Sequence, residues 1–530
     1  MKNRFCIAAL TVMLFSFTGC KDSLFDELYI DPSKTTEVSC EKLMTGVFYQ
    51  SLRVTKPSYY HYYTMNIMTL ARYTQTVGVA NSEGMFHPND GYNTGRWQVF
   101  YKSLTNFRLL EDTYSKLDAA GRSDNEIFLL AAKVFLYGQL QEIVDLWGDV
   151  PFSEAGMLPI TGDVVSSYAK YDSAEELYRL MLTELKAINT RLSELDGKLS
   201  SVATTYFIGQ DYINKGDIMK WRRYANSLRL RMAMHVASQG ALADEGKAAL
   251  KEMLDNATTY PLVESNDQNI QITADAFGFN PLKDEDGSNG IMQAFEGLTN
   301  DPLGATNRAP KSMLDRMVDD PRLPVMFSPN TNGEYKGLVP EDRPEDQSPG
   351  LEAAPNIYAS IDSATISRND NMPGILFTAA EVSFIKAEAC NEGYAGSIAQ
   401  AQTEFEKAVT QSINFYFDLN SVSTYATPLE RPDAATIATF ATSKWTGDGK
   451  EAIATQKWLH LGLIHTEEAW NGLRRTKLPA LTYMTDNSST SCKTPVDRFV
   501  YPIDESDFNS ANYETVKAKD TYYTKLFWAK

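Results

Sequence analysis

The sequence predicts a mainly α fold: a tetratricopeptide-like scaffold of helical hairpins, carrying long irregular loops and little β-structure. Three observations predict it. Apolar residues recur at mixed three- and four-residue spacings over long segments, the period of a helix buried along one face. Two such segments, Ala380–Cys390 and Ser397–Ile413, flank the turn Asn391-Glu392-Gly393-Tyr394-Ala395-Gly396 and place small Ala387, Ala389 and Ala408 where two helices must approach closely. Between the periodic segments lie long stretches with neither a helical nor an alternating pattern, which read as functional loops rather than strands.

The elements follow in order from the N-terminus. Lys2 and Arg4 precede an apolar run, Ile7 to Phe17, and the small pair Thr18-Gly19 leads into Cys20, the anatomy of an export signal. The run of about 11 residues is too short to cross a bilayer, which needs about 20. A signal that ends on a small residue before Cys resembles the lipobox of bacterial lipoproteins, in which the Cys is acylated and becomes the first residue of the mature chain. Phe17 stands where that motif usually has Leu. On this reading residues 1–19 are a signal peptide, residues 20–35 a tether attached to the membrane through N-terminal lipid at Cys20, and residues 36–530 a single helical domain. The alternative is a secreted protein with Cys20 in a disulfide. Cys40, Cys390 and Cys492, an odd and dispersed set, form no disulfide framework.

Within the domain, Asn125–Trp147 reads as a long amphipathic helix capped by Asp124 and stopped by Gly148 and Pro151. Asp172–Leu195 and Trp221–Ala237 read as two more, followed by the hairpin. A single hairpin cannot bury its own apolar face, so neighbours are required. No clean repeat of about 34 residues runs through the chain, so any repeats are degenerate. The irregular segments are Val77–Gly95, Asp267–Arg308, Met326–Arg368 and Thr485–Tyr513.

Composition narrows the partners. The formal net charge of -18 becomes more negative once Lys2 and Arg4 are removed, which argues against nucleic acid and against electrostatic adhesion to anionic lipid. Tyr 28, Phe 25 and Trp 7 are generous numbers for so acidic a chain, and such rings suit carbohydrate or peptide ligands as well as the core.

Several segments, taken together, are similar to one family. They are Leu146-Trp147-Gly148-Asp149-Val150-Pro151-Phe152-Ser153-Glu154-Ala155, Lys220-Trp221 with Ala225 through Arg231, and Asp320-Pro321-Arg322-Leu323-Pro324. Further on come Glu381 through Glu388, Gln456-Lys457-Trp458, Glu468-Ala469-Trp470 leading to Arg474-Arg475-Thr476, and Tyr501-Pro502 with Asn512-Tyr513. In this order they resemble the SusD/RagB family of outer-membrane nutrient-binding lipoproteins. The resemblance implies a tetratricopeptide-like scaffold, a lipid-anchored outer-membrane protein facing the cell exterior, an oligosaccharide or peptide ligand, and a SusC-like TonB-dependent transporter as partner. Lys21-Asp22 is similar to the charged signal that sends such lipoproteins to the outer face. No catalytic or ligand-contacting residue is carried over.

Ligand candidates therefore come from residue chemistry. Tyr59, Tyr60, Tyr62 and Tyr63 surround His61; on a helix they spread around the cylinder, so that one or two face out while the others pack. The Val77–Gly95 loop gathers Asn81, Phe86, His87, Asn89, Asp90 and Tyr92, with Glu83 and Asn93, the mixture of amides, carboxylates and rings that orients a polyhydroxylated ligand. The competing reading is a turn-rich loop whose Asn and Asp satisfy their own backbone. Trp147, Trp221, Trp458 and Trp470 read as core, and Arg474-Arg475 as structural ion pairs or, alternatively, a grip on an anion. Asp284 to Gly290 hints at calcium but lacks the register of an EF-hand. His460 and His465, five apart, do not make a metal pair. No nucleophile-elbow, zincin or phosphate-loop motif is present, so no cofactor, no metal and no enzyme activity is expected, although a lipoprotein glycoside hydrolase stays open because 68 acids permit unseen catalytic pairs.

Overall fold

Short polar side chains start most of the long helices by accepting a hydrogen bond from a first-turn N–H, which meets one of the donors that a helix end leaves without an internal partner. The computed structural model describes residues 38–283, 290–296, 308–353 and 356–530. Cys20, its tether and the Asp284–Asn289 stretch lie outside the described residues. The longer helices are α1 (Cys40–Gln50), α2 (Asp90–Ser115), α3 (Ala119–Trp147), α4 (Ala174–Leu195), α5 (Ser201–Gln210) and α6 (Ile218–Val236). After them come α7 (Ala243–Asp255), α8 (Ala379–Asn391), α9 (Ile398–Ser421), α10 (Ala434–Ser443), α11 (Lys450–Leu461) and α12 (Thr466–Thr476). Asn89, Asp118, Ser173, Ser200, Asp217, Thr378, Ser397 and Asp433 are the capping residues of α2, α3, α4, α5, α6, α8, α9 and α10.

Three expectations about helix starts are corrected, the first being α6, which begins at Ile218 under Asp217 rather than at Trp221. Helix α3 begins at Ala119 under Asp118, not at Asn125 under Asp124, and its first turns are mostly exposed, so they carry no apolar period to read. Helix α4 begins at Ala174 because Asp172 is held in a strand, where its carboxylate accepts from the Phe152 and Ser153 N–H groups at 2.8 Å each. The expected hairpin is α8 and α9, with α9 running on to Ser421.

The β-structure is slight. Among the described residues three two-stranded antiparallel ladders pair β1 (Val150–Pro151) with β2 (Tyr171–Asp172), β3 (Ile270–Ile272) with β6 (Gly374–Phe377), and β4 (Phe327–Ser328) with β5 (Ser360–Ile361). Strands β3, β4 and β5 interrupt stretches that read as irregular in the sequence. Likewise the Val77–Gly95 loop ends at Asn89, where α2 starts.

Helix pairs α1–α2, α2–α3, α4–α6, α6–α7 and α8–α9 pack face to face. Gly138 lets α3 lie against α6: a Cβ there would stand 2.9 Å from the Tyr224 hydroxyl. Helix α3, long and apolar enough to cross a membrane, is buried along most of that length in this core. Trp147, Trp221, Trp458 and Trp470 are core, as expected. Trp147 Nε1 donates to the Val500 carbonyl at 3.0 Å, Trp221 Nε1 to Asp211 at 2.7 Å and Trp458 Nε1 to the Thr74 carbonyl at 2.9 Å, while the Arg474 guanidinium lies 3.6 Å over the Trp470 ring.

The conspicuous sequence segments prove to be one another's partners. Arg231 of α6 grips Glu381 of α8 through two bonds of 2.6 and 2.8 Å. Arg322 pairs with Asp320, donates to Ser412 at 2.9 Å and reaches Gln456. Arg475 pairs with Glu388 at 2.6 Å, and Lys457 lies 3.6 Å from Glu468. Tyr501 donates to the Asp149 carbonyl at 2.5 Å. Arg474 and Arg475 are thus taken up by the interior. These segments specify the scaffold, because a charge buried without its partner is costly.

Candidate ligand-binding site

The tyrosine cluster opens a π-helix, Tyr60–Leu70, rather than a regular α-helix. Tyr60 is 7% exposed; its hydroxyl donates to the Gly91 carbonyl at 2.9 Å and the Arg53 guanidinium covers its ring at 3.8 Å. Gly95 is what admits that ring, since a Cβ there would stand 2.2 Å from the Tyr60 hydroxyl. Tyr62 is buried against Phe295 and Met372. Tyr59 and Tyr63, one helical turn apart, remain half-exposed and stack with ring centroids 4.9 Å apart at 19°. Val79, Leu282 and Tyr335 pack against the same apolar cluster as this pair.

In the Val77–Asn89 loop most candidate side chains are spent on the protein itself. Asn81 is buried: its N–H donates to Gln347 at 2.7 Å and its amide to the Pro340 and Asp342 carbonyls at 2.9 and 2.7 Å. Phe86 is fully buried, and Tyr73 donates to its carbonyl at 2.9 Å. Asn89 caps α2, and Tyr92, fully buried, bonds to Glu467 through its hydroxyl. Tyr60, Tyr62, Asn81, Phe86, Asn89 and Tyr92 are therefore withdrawn as ligand contacts, because burial or a backbone bond already occupies each. His87 is exposed and shares a hydrogen bond with the Tyr522 hydroxyl at 2.9 Å, and Asp90 is exposed in the first turn of α2.

What remains is a half-buried aromatic pair, Tyr59 with Tyr63, on a surface that also carries His87 and Asp90 elsewhere. Arg72 donates to the Ala80 carbonyl at 3.1 Å and so ties the π-helix region to the loop; burial pushes its pKa down to about 10. Residues 71–86 meet Pro310, Leu338, Pro340 and Tyr483 around a cavity of only about 20 Å³. That is room for about one water.

The strongest electrostatic perturbations lie inside. Burial, with Glu142 nearby, raises the Glu467 carboxyl well above the usual range, the kind of shift seen in a catalytic acid. Burial would raise Glu142 as well, but its hydrogen bond with His465 and the charge of Arg96 hold it low. Glu467 is buried and accepts from the Tyr92 hydroxyl. His460 sits buried between Thr378 at 2.8 Å and Ser412 at 3.0 Å, and among the described residues no group of three His, Cys, Asp or Glu gathers as for a metal ion. Cys40, Cys390 and Cys492 are buried and unbonded to one another.

Sequence pattern does not single out Lys56, which is fully buried and donates to the Ala276 carbonyl at 2.6 Å and the Ala274 carbonyl at 3.4 Å. Burial pushes its pKa from 10.5 down to about 7. Between those values the unfolded chain binds the proton that the folded chain has lost, so this residue makes stability rise with pH through that window. Lys56→Met is expected to lose that rise: urea midpoints at pH 7.5 and pH 10 should separate less in the variant than in the wild type, and an equal separation would contradict the assignment.

With fold and surface in view, comparison with known proteins identifies the class. A family described as SusD-like, starch-binding and associating with the outer membrane matches residues 32–502. The chain belongs to this family of carbohydrate-binding outer-membrane proteins. No curated protein matches it. Among solved structures it is similar to a chitin-binding protein at 22% identity and a TM-score of 0.71, over 93% of this chain and 100% of that one. It is also similar to a SusD homologue from Parabacteroides distasonis (21% identity, TM-score 0.69, covering 93% and 98%) and to a chitin-binding SusD homologue from Flavobacterium johnsoniae (20% identity, TM-score 0.67, covering 92% and 98%). At these identities the likeness establishes the shared fold.

Proposed function

We propose that this protein is a lipid-anchored outer-membrane protein facing the cell exterior, which binds an oligosaccharide and hands it, uncleaved, to a SusC-like TonB-dependent transporter. The family match over residues 32–502 carries this reading. Chitin binding by two structural neighbours favours a glycan over a peptide as cargo. Tyr59 and Tyr63 supply the flat apolar faces on which a sugar ring can lie while their hydroxyls reach its oxygens. Cys20, acylated after removal of residues 1–19, holds the protein at the membrane. Several acyl chains anchor firmly, at about 0.8 kcal/mol per buried methylene. Tethering then raises the local concentration of bound glycan at the transporter.

The anchor and the partner are tested together. Wild-type protein is expected to sediment with outer membranes and to co-purify with a transporter barrel in mild detergent. Cys20→Ala is expected to be released in soluble form with its glycan affinity unchanged. A wild-type preparation that brings down no barrel would count against delivery, and lost glycan affinity in Cys20→Ala would give Cys20 a role in folding instead.

A further inference from the structure

A cleft of about 390 Å³ opens at strand β3, the turn after it, the segment before β6 and the C-terminal end of α9, and it shares no residue with the Tyr59–Tyr63 platform. Its volume falls within the range of about 300–1,000 Å³ typical of small-molecule sites. Strand β3 aims it. Ile270 and Ile272 are fully buried, and the register of β3 on β6 slips between Ile270 and Gln271, an irregularity that re-aims a side chain. Gln271 consequently faces the cleft, and its amide bonds to no group among the described residues.

The other amides around the cleft are half used. Asn269 spends its oxygen on the Ala379 N–H at 2.8 Å, which leaves its NH₂ group. Asn266 and Asn371 spend their NH₂ groups on the Gln411 and Val422 carbonyls, both at 3.0 Å, which leaves their oxygens; that of Asn266 is buried without a partner. The cleft thus offers donors and acceptors side by side, as a hydroxyl requires, because a hydroxyl is both. Pro373 and the exposed Val422, backed by Phe415 and Leu419, form an apolar wall. Asp275 and Asp418 stand at the rim; the Thr273 side chain and the local backbone beside Asp275 outweigh burial and keep that carboxyl low, while Asp418 pairs with Arg431. The Asp275 carboxylate opposes an anionic ligand. The turn that bears Ala274 and Asp275 is pinned from below by Lys56.

We propose that this cleft is a second saccharide site, separate from the aromatic platform, and that it takes a neutral sugar unit such as the end of an oligosaccharide. The inference rests on the carbohydrate reading above, with a location of its own. Paired amides meet the hydroxyls, the Pro373–Val422 wall meets the C–H face, and the Asp275 carboxylate disfavours acidic sugars.

The test uses the full chain in a detergent without a sugar headgroup, titrated with cellobiose, maltose, N,N′-diacetylchitobiose and digalacturonate. At least one neutral disaccharide is expected to bind saturably, and digalacturonate is not. Gln271→Ala with Asn371→Ala, both on accessible side chains, should weaken that binding at least tenfold. Val422→Trp, which fills the cleft from the exposed end of α9, should do the same. Tyr206→Ala, on an exposed side chain outside both sites, should leave it unchanged, and Tyr59→Ala with Tyr63→Ala reads any share carried by the platform. Binding that survives both cleft variants but falls with the tyrosine pair overturns the second site and leaves the carbohydrate function standing. Binding of digalacturonate alone, or of no neutral disaccharide, overturns the cleft proposal; longer glycans then test the platform by themselves.

Discussion

Arg231→Ala is expected to destabilise the protein by about 3–5 kcal/mol, because it leaves a carboxylate inside the protein with its principal partner gone. Arg231 and Glu381 are each 1% exposed, and their two-bond contact joins α6 to α8, elements 150 residues apart in sequence. The Arg231 guanidinium also lies 4.1 Å over the Phe377 ring, which adds packing to the loss. Replacing both members with apolar residues of similar size, Arg231→Met with Glu381→Leu, should recover most of the loss, since a buried pair repays little more than the cost of desolvating its charges. Urea midpoints of the single and double variants check this. A double variant as unstable as Arg231→Ala would mean that the pair does more than satisfy itself, for instance by ordering His465, whose Nδ1 lies 3.5 Å from the Arg231 guanidinium.

The second large effect is functional. Tyr59→Ala with Tyr63→Ala is expected to lower affinity for a long glycan tenfold or more, a loss of about 1.4 kcal/mol or greater in binding energy. The two rings are half-exposed, so their stacking adds only about 0.5–1.5 kcal/mol to folding, and the variant should remain folded with a modest fall in midpoint. Titration calorimetry with starch and chitin oligosaccharides longer than a disaccharide measures the first quantity and urea denaturation the second. Unchanged glycan affinity in a folded variant would remove the platform from the site.

The legibility of the chain divides along physical lines. The hairpin α8–α9 and the core Trp residues are legible because burial imposes a periodic pattern and small residues mark a close crossing. The start of α3 is hidden because exposed turns carry no such pattern, and only its Asp118 cap signals the boundary. In the Val77–Asn89 loop the right residue types mislead: composition does not reveal that Asn81 and Asn89 have already spent their hydrogen-bonding groups on backbone. Burial of Phe86 and Tyr92 is decided by segments distant in sequence, Tyr483 in one case and Phe499 with Glu467 in the other. The 390 Å³ cleft escapes detection because three separated segments build it from ordinary residues. One signal was available there: Asn269, Gln271 and Thr273 alternate with Ile270 and Ile272, a period-two pattern that marks a strand with a polar outer face. The motif segments, by contrast, identify the family so well because they are mutual interior partners, and for the same reason they say nothing about the ligand.

The most direct measurement is a titration of the purified full chain with starch and chitin oligosaccharides and with a mixed peptide digest, followed by assay of the glycans for new reducing ends. Saturable heat from a glycan, none from the peptides and no new reducing ends is the predicted result. Heat from peptides alone would contradict the carbohydrate reading, and glycan turnover that disappears on substitution of one Glu or Asp would make the protein a hydrolase.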